Sequence, residues 1–94
     1  MSERKQRITV RYEGRVQGVC FRMTAVELAR PFAVTGFVRN CRDGSVELVA
    51  EGVEEEVMGL IHAIRLSHLS RGILKEQILR SRATGQFDSF EISF

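Results

Sequence analysis

The chain has 94 residues, 44% of them hydrophobic and 28% charged, with a formal net charge of +2. That is enough chain for one domain with a modest core and too little for two. Basic and acidic residues are interleaved, so the clustered basic stripe that marks a nucleic-acid-binding surface is missing, and no nucleic-acid partner is expected.

A single domain over residues 1–94 is expected, with the basic stretch Arg4-Lys5-Gln6-Arg7 inside or beside a flexible N-terminal arm at 1–6. No apolar run approaches the roughly 20 residues needed to span a bilayer. Nor does a charged start lead into a signal-type apolar core, so no membrane partner and a cytoplasmic location are expected. Two cysteines, Cys20 and Cys41, do not make a disulfide framework. Zinc would need more ligands than these and the scattered His62 and His68 supply, so no metal is expected.

From the N-terminus, Ile8, Val10 and Tyr12 alternate with Thr9, Arg11 and Glu13 across residues 7–13, the pattern of a half-buried strand. The glycine-containing stretch Gly14-Arg15-Val16-Gln17-Gly18-Val19-Cys20-Phe21-Arg22 follows. Phe21, Ala25, Leu28, Ala29 and Phe32 then recur at helical spacing. Pro31 lacks an N–H and disfavours helical geometry at Arg30, which predicts the helix end there.

Residues 35–51 read as a β-hairpin around Asp43-Gly44, where glycine takes positive φ without steric cost. After Gly52 the acidic run Glu54-Glu55-Glu56 suits the positive end of a second helix. Val57, Leu60, Ile61 and Ile64 form its apolar stripe, and it is expected to end near Leu66. Residues 67–72 read as a loop, and a strand is expected from Ile73 with a polar break at Glu76. Residues 82–86 read as a turn. Phe90, Ile92 and Phe94 alternate with Ser89, Glu91 and Ser93 as a short final strand. The order is β-α-β-β-α-β with that short last strand. It predicts an α+β, ferredoxin-like split βαβ fold in which two helices cover one face of an antiparallel sheet. That fold hosts many functions and decides none.

Strand, glycine loop and helix start in succession commonly build an anion site. The first N–H groups of a helix are unpaired and point outward, and the helix dipole adds positive potential. Arg22 would place a forked guanidinium at the loop's end. A tight glycine turn with a solvated arginine satisfies the same spacing, because short glycine loops are weakly specific. In the predicted topology the strand from Thr35 points back towards the loop end, which brings Asn40 near it. Asn40 offers an acceptor and a donor able to hold a water molecule in one orientation. It reads equally as a turn-flanking asparagine bonded to local backbone.

Taken together, Gly14-Arg15-Val16-Gln17-Gly18-Val19-Cys20-Phe21-Arg22, Gly36-Phe37-Val38-Arg39-Asn40 and Asp43-Gly44-Ser45-Val46-Glu47 resemble the acylphosphatases, over essentially the whole chain. The resemblance implies metal-independent hydrolysis of a carboxyl–phosphate anhydride to carboxylate and inorganic phosphate by a small monomer, with no cofactor. It assigns phosphoryl binding to Arg22 and to the loop Gln17, Gly18, Val19, Cys20 and Phe21, and water orientation to Asn40. A carboxylate leaving group, with a reference pKa of about 4, needs little help from a general acid. This agrees with the lack of an evident catalytic histidine or carboxylate pair.

Three departures stand out against the family pattern. Phe37 replaces a frequent tryptophan, Ser70-Arg71-Gly72 lacks a common proline, and Ile92-Ser93-Phe94 stands where a basic residue and tyrosine are common. None replaces Arg22 or Asn40. Cys20 and Cys41 read as packing residues, since neither has an evident base nearby to activate a nucleophile. Two other functions share the fold. An RNA-reading module stacks bases on aromatic residues of its central strands, but Ser45-Val46-Glu47-Leu48-Val49 has none. An acylphosphatase-like domain of a hydrogenase-maturation carbamoyltransferase would act on carbamoyl phosphate.

Overall fold

The computed structural model describes residues 4–94. Its elements are β1 (Lys5–Gly14), α1 (Phe21–Ala29), β2 (Thr35–Asn40), β3 (Val46–Val53), α2 (Glu54–Leu66), β4 (Ile73–Arg82) and β5 (Phe90–Ser93). The loop expected between α2 and β4 is a 3-10 turn, His68–Gly72. The strands form one sheet in the order β4-β1-β3-β2-β5. β1 is antiparallel to β3 and β4, and β2 is antiparallel to β3. β5 adds to β2 in parallel, so the ferredoxin-like antiparallel sheet gains a parallel edge. β1 starts at Lys5, within the stretch expected to be an arm; residues 1–3 of that stretch lie outside the described residues. Among the described residues no helix is long and apolar enough to cross a membrane.

Register explains the single apolar face. Ile8, Val10 and Tyr12 lie opposite Ala50, Leu48 and Val46, and Val38 lies opposite Leu48. All of these are buried. The helices cover that face with Phe21, Ala25 and Ala29 from α1 and Val57, Leu60, Ile61 and Ile64 from α2. Burying an aliphatic or aromatic side chain of this size contributes about 1.5–3 kcal/mol. α1 stops one residue before Arg30. Arg30 keeps helical angles, but its amide and that of Phe32 bond three residues back, to Glu27 and Ala29. The N–H missing from Pro31 breaks the ladder between them.

The turn expected at residues 82–86 does not form. β4 and β5 lie on opposite edges of the sheet, so residues 83–89 must cross it on the face away from the helices. Phe87 packs edge-on against Phe37, with ring centroids 5.7 Å apart. A buried carboxylate holds this crossing. Glu51 is 3% exposed and accepts hydrogen bonds from Thr84 N (3.0 Å), Gly85 N (2.9 Å), Thr84 Oγ1 (2.9 Å) and Arg7 Nε (2.8 Å). Arg7 is its direct cross-strand neighbour.

Burial alone would raise the Glu51 pKa. The Thr84 and Gly85 amides, then Arg7 and the Thr84 hydroxyl, overcome that and lower it from 4.5 to about 2. A carboxyl whose pKa is lower in the folded chain stabilises the fold above its unfolded pKa and loses that contribution as pH falls. The folded protein should therefore lose stability on the order of 3 kcal/mol between about pH 4.5 and 2. Glu51→Ala should remove a comparable amount at pH 7, because the Thr84, Gly85 and Arg7 donors lose the acceptor that holds the crossing in place. Urea melts of parent and variant at pH 7 and pH 3 check both: the stability gap between them should narrow at the lower pH.

Candidate active site

The register brings several chain segments to one end of the sheet. Tyr12 near the end of β1 and Asn40 at the end of β2 both lie opposite Val46, and Arg39 lies beside Ser93 at the end of β5. The loop between β1 and α1, the end of β2 and the residue after β5 therefore meet where α1 begins. They enclose a cavity of about 430 Å³ lined by Val16, Gly18, Cys20, Phe21, Arg22, Met23, Asn40, Ile92 and Phe94. The hollow thus brings Arg22 and Asn40 together with Gly18, Cys20 and Phe21 of the loop.

Two left-handed residues bend the loop just ahead of α1. Gly18 has φ of 76°, and Cys20, just before α1, also takes left-handed angles with φ of 61°. Left-handed geometry suits glycine but costs an L-residue roughly 1–2 kcal/mol. The loop's far side is clamped by close backbone approach. Arg15 N donates to Gly72 O at 2.8 Å, and a Cβ on Gly72 would stand 2.2 Å from Arg15 O. The next backbone amide to find a protein acceptor is Thr24 N, which donates to Cys20 O at 3.0 Å. Among the described residues, the amides from Val16 to Met23 donate to no protein group. Such a run of open N–H groups at a helix start is a receptacle for an anion.

Arg22 is half-buried. Arg7, Arg11, Arg30, Arg39, Arg65 and Arg80 each reach a carboxylate. Arg22 reaches none among the described residues, and its guanidinium carbon lies 5.2 Å from the centroid of the Phe94 ring. A charged fork without a counter-ion, in a hollow lined by open amides, suits phosphate oxygens. Asn40 extends the Val38 side of β2, the side facing the helices, and is half-buried. Its carboxamide makes no hydrogen bond to another described residue and so remains open to a ligand. No histidine or carboxylate lines the cavity. Among the described residues no three His, Cys, Asp or Glu side chains come together as a metal site.

Two loop residues are placed differently from the rest. Val19 turns away from the cavity and lines a neighbouring hollow of about 270 Å³ with Arg15, His68, Leu69, Arg71 and Gly72. The Gln17 side chain also stays out of the cavity. Its Nε2 donates to Cys41 O at 2.7 Å and to Ser45 O at 2.8 Å, tying the loop to the β2–β3 turn. That turn is itself pinned by Asp43, which accepts from Ser45 N at 3.0 Å and Ser45 Oγ at 2.6 Å and pairs with Arg11. Gln17 therefore spaces the loop from Asn40 with its side chain, leaving only its backbone for an anion. Met23, Ile92 and Phe94 were not foreseen as lining. Met23 follows Arg22 directly, but the placing of Ile92 and Phe94 depends on the parallel pairing of β5.

The sequence model of the acylphosphatase family matches residues 8–92. The chain belongs to the acylphosphatase family. It is 39% identical over 92 residues to the acylphosphatase of Paenarthrobacter aurescens, covering 98% of each chain. A crystal structure of acylphosphatase from Bacillus subtilis superimposes with a TM-score of 0.82 at 28% identity, over 95% of this chain and 99% of that one. Full-length HypF in its phosphate- and nucleotide-bound form superimposes with a TM-score of 0.84 at 22% identity, over the whole of this chain but 12% of that one. That likeness is one of fold. Within an acylphosphatase-family chain, the Gln17 clasp makes a separate prediction. Gln17→Ala should reduce kcat by about ten- to a hundredfold, by loosening the spacing between loop and Asn40. Steady-state kinetics with a check of phosphate affinity would register this as a fall in kcat larger than any rise in KM.

Proposed function

We propose that the chain hydrolyses acyl phosphates to a carboxylate and inorganic phosphate, as a monomer and without a metal or organic cofactor. The observation that carries this reading is the meeting of Arg22, Asn40 and the loop residues Val16, Gly18, Cys20 and Phe21, whose amides are open, in one hollow of an acylphosphatase-family fold.

In this reading the amides of Gly18, Val19, Cys20 and Phe21, with that of Gln17 at the edge, and the Arg22 guanidinium hold the phosphoryl oxygens. Asn40 holds a water in line with the bond to the acyl oxygen. The water oxygen bonds to phosphorus as the bond from phosphorus to the acyl oxygen breaks, and the electron pair leaves with the carboxylate. With a conjugate-acid pKa of about 4, that group departs unprotonated. The lining offers no histidine or carboxylate as a base, so the water's proton passes to a non-bridging phosphoryl oxygen. Catalysis is then positioning plus electrostatic stabilisation, which is what phosphoryl transfer asks of a protein.

The test is phosphate release from acetyl and benzoyl phosphate with EDTA present, and carbamoyl phosphate alongside. Turnover of the first two that survives EDTA is the expected result. Dependence on added metal, or turnover of carbamoyl phosphate alone, would contradict it.

A further inference from the structure

Three large apolar side chains surround the rim of the cavity, and the core explains only one of them. Ile92 is partly buried against the core. Met23 is 64% exposed and Phe94 99% exposed, yet both line the same hollow as Arg22 and Asn40. Their placement follows from the fold. Met23 sits in the first turn of α1, one residue after Arg22. Ile92 lies beside Val38 in the parallel pairing, and Phe94, two residues on, continues the same side beyond the strand. The Phe94 ring then stands against the Arg22 guanidinium. No aspartate, glutamate or lysine joins them in the lining.

We infer that Met23, Ile92 and Phe94 form an acyl-group subsite that selects apolar, above all aromatic, acyl phosphates. This rests on the proposed hydrolysis at Arg22 and Asn40. A phosphoryl group on Arg22 leaves its acyl carbon beside the Phe94 ring, and the departing carboxylate starts from an apolar rim. An apolar acyl group is drawn out of water by these surfaces. An anionic one would be desolvated against them with no partner in the lining but Arg22, which the phosphoryl group already engages. The cationic neighbours Arg15, His68 and Arg71 lie in the separate hollow behind Val19.

The experiment compares kcat/KM for acetyl, butyryl, benzoyl and succinyl phosphate in the parent and in Met23→Ser, Phe94→Ser and the double variant. Leu79→Ser serves as control, since Leu79 is 67% exposed on β4 and away from the cavity. The parent should favour benzoyl over acetyl phosphate by about tenfold or more, and the double variant should reduce that ratio to about threefold or less. The loss should appear in KM for benzoyl phosphate with kcat retained, as expected when an apolar contact is equally strong in ground and transition states. Leu79→Ser should keep the parental ratio. Equal rates on all four substrates, a ratio untouched by the double variant, or preference for succinyl phosphate would overturn the subsite and leave the hydrolytic reading standing. No turnover of any acyl phosphate would overturn both.

Discussion

Arg22→Ala should lower kcat/KM for acyl phosphates by about a thousandfold or more while the chain stays folded. Both halves of the expectation come from the same geometry. Arg22 is the charged group of the cavity, and charge spreads over the phosphoryl oxygens as the bond to the acyl oxygen loosens. A guanidinium placed in the same hollow as open amides can stabilise that charge as it develops, which is where electrostatic catalysis gains most. The side chain also lacks an ion-pair partner among the described residues and rests only beside an exposed ring. Removing it strands no buried group, so the melting temperature should match the parent's. Arg22→Lys should recover little of the activity, because a point ammonium cannot span two oxygens as a planar fork does. Circular dichroism with kinetics on the three proteins separates loss of chemistry from loss of fold.

Asn40→Ala should act on a different parameter. Kcat should fall by about a hundredfold or more with KM nearly unchanged, since in the proposed mechanism the group positions the water and makes none of the phosphoryl contacts. Asn40→Asp tests the charge. A carboxylate there would face the bound phosphoryl group, so KM should rise as well as kcat fall. The β2–β3 turn holds its shape through Asp43, Ser45 and Gln17, none of which bonds to the Asn40 side chain. Either variant should fold. A parental kcat in Asn40→Ala would remove Asn40 from the mechanism.

What the sequence made legible follows the range of the interactions involved. The alternation of Ile8, Val10 and Tyr12, the helical stripes from Phe21 and Val57, and Asp43-Gly44 are local patterns. They foretold strand, helices and hairpin, and with them the juxtaposition of Arg22 and Asn40. Features set by contacts distant in the chain were hidden. Glu51 reads as an ordinary polar residue of a strand, and only the crossing of residues 83–89 makes it a buried hub. Residues 82–86 look like a turn because glycine and small polar residues serve a crossing equally well. Gln17 is legible only as part of the loop motif; the span of its side-chain amide to backbone carbonyls more than twenty residues away is not. Phe94 continues the alternation of the last strand, but β5 ends at Ser93 and leaves its ring at the rim of the cavity.

The central claim is that the phosphoryl group sits on the amides of the loop and on Arg22. Titrating inorganic phosphate into the 15N-labelled protein tests it most directly. The amides of residues 16–23, the Arg22 Nε–H and the Asn40 side-chain amide should shift together along one saturating curve, and Arg22→Ala should abolish that curve. Saturable shifts confined to Arg15, His68 and Arg71 behind Val19, or undiminished binding at the loop in Arg22→Ala, would contradict it.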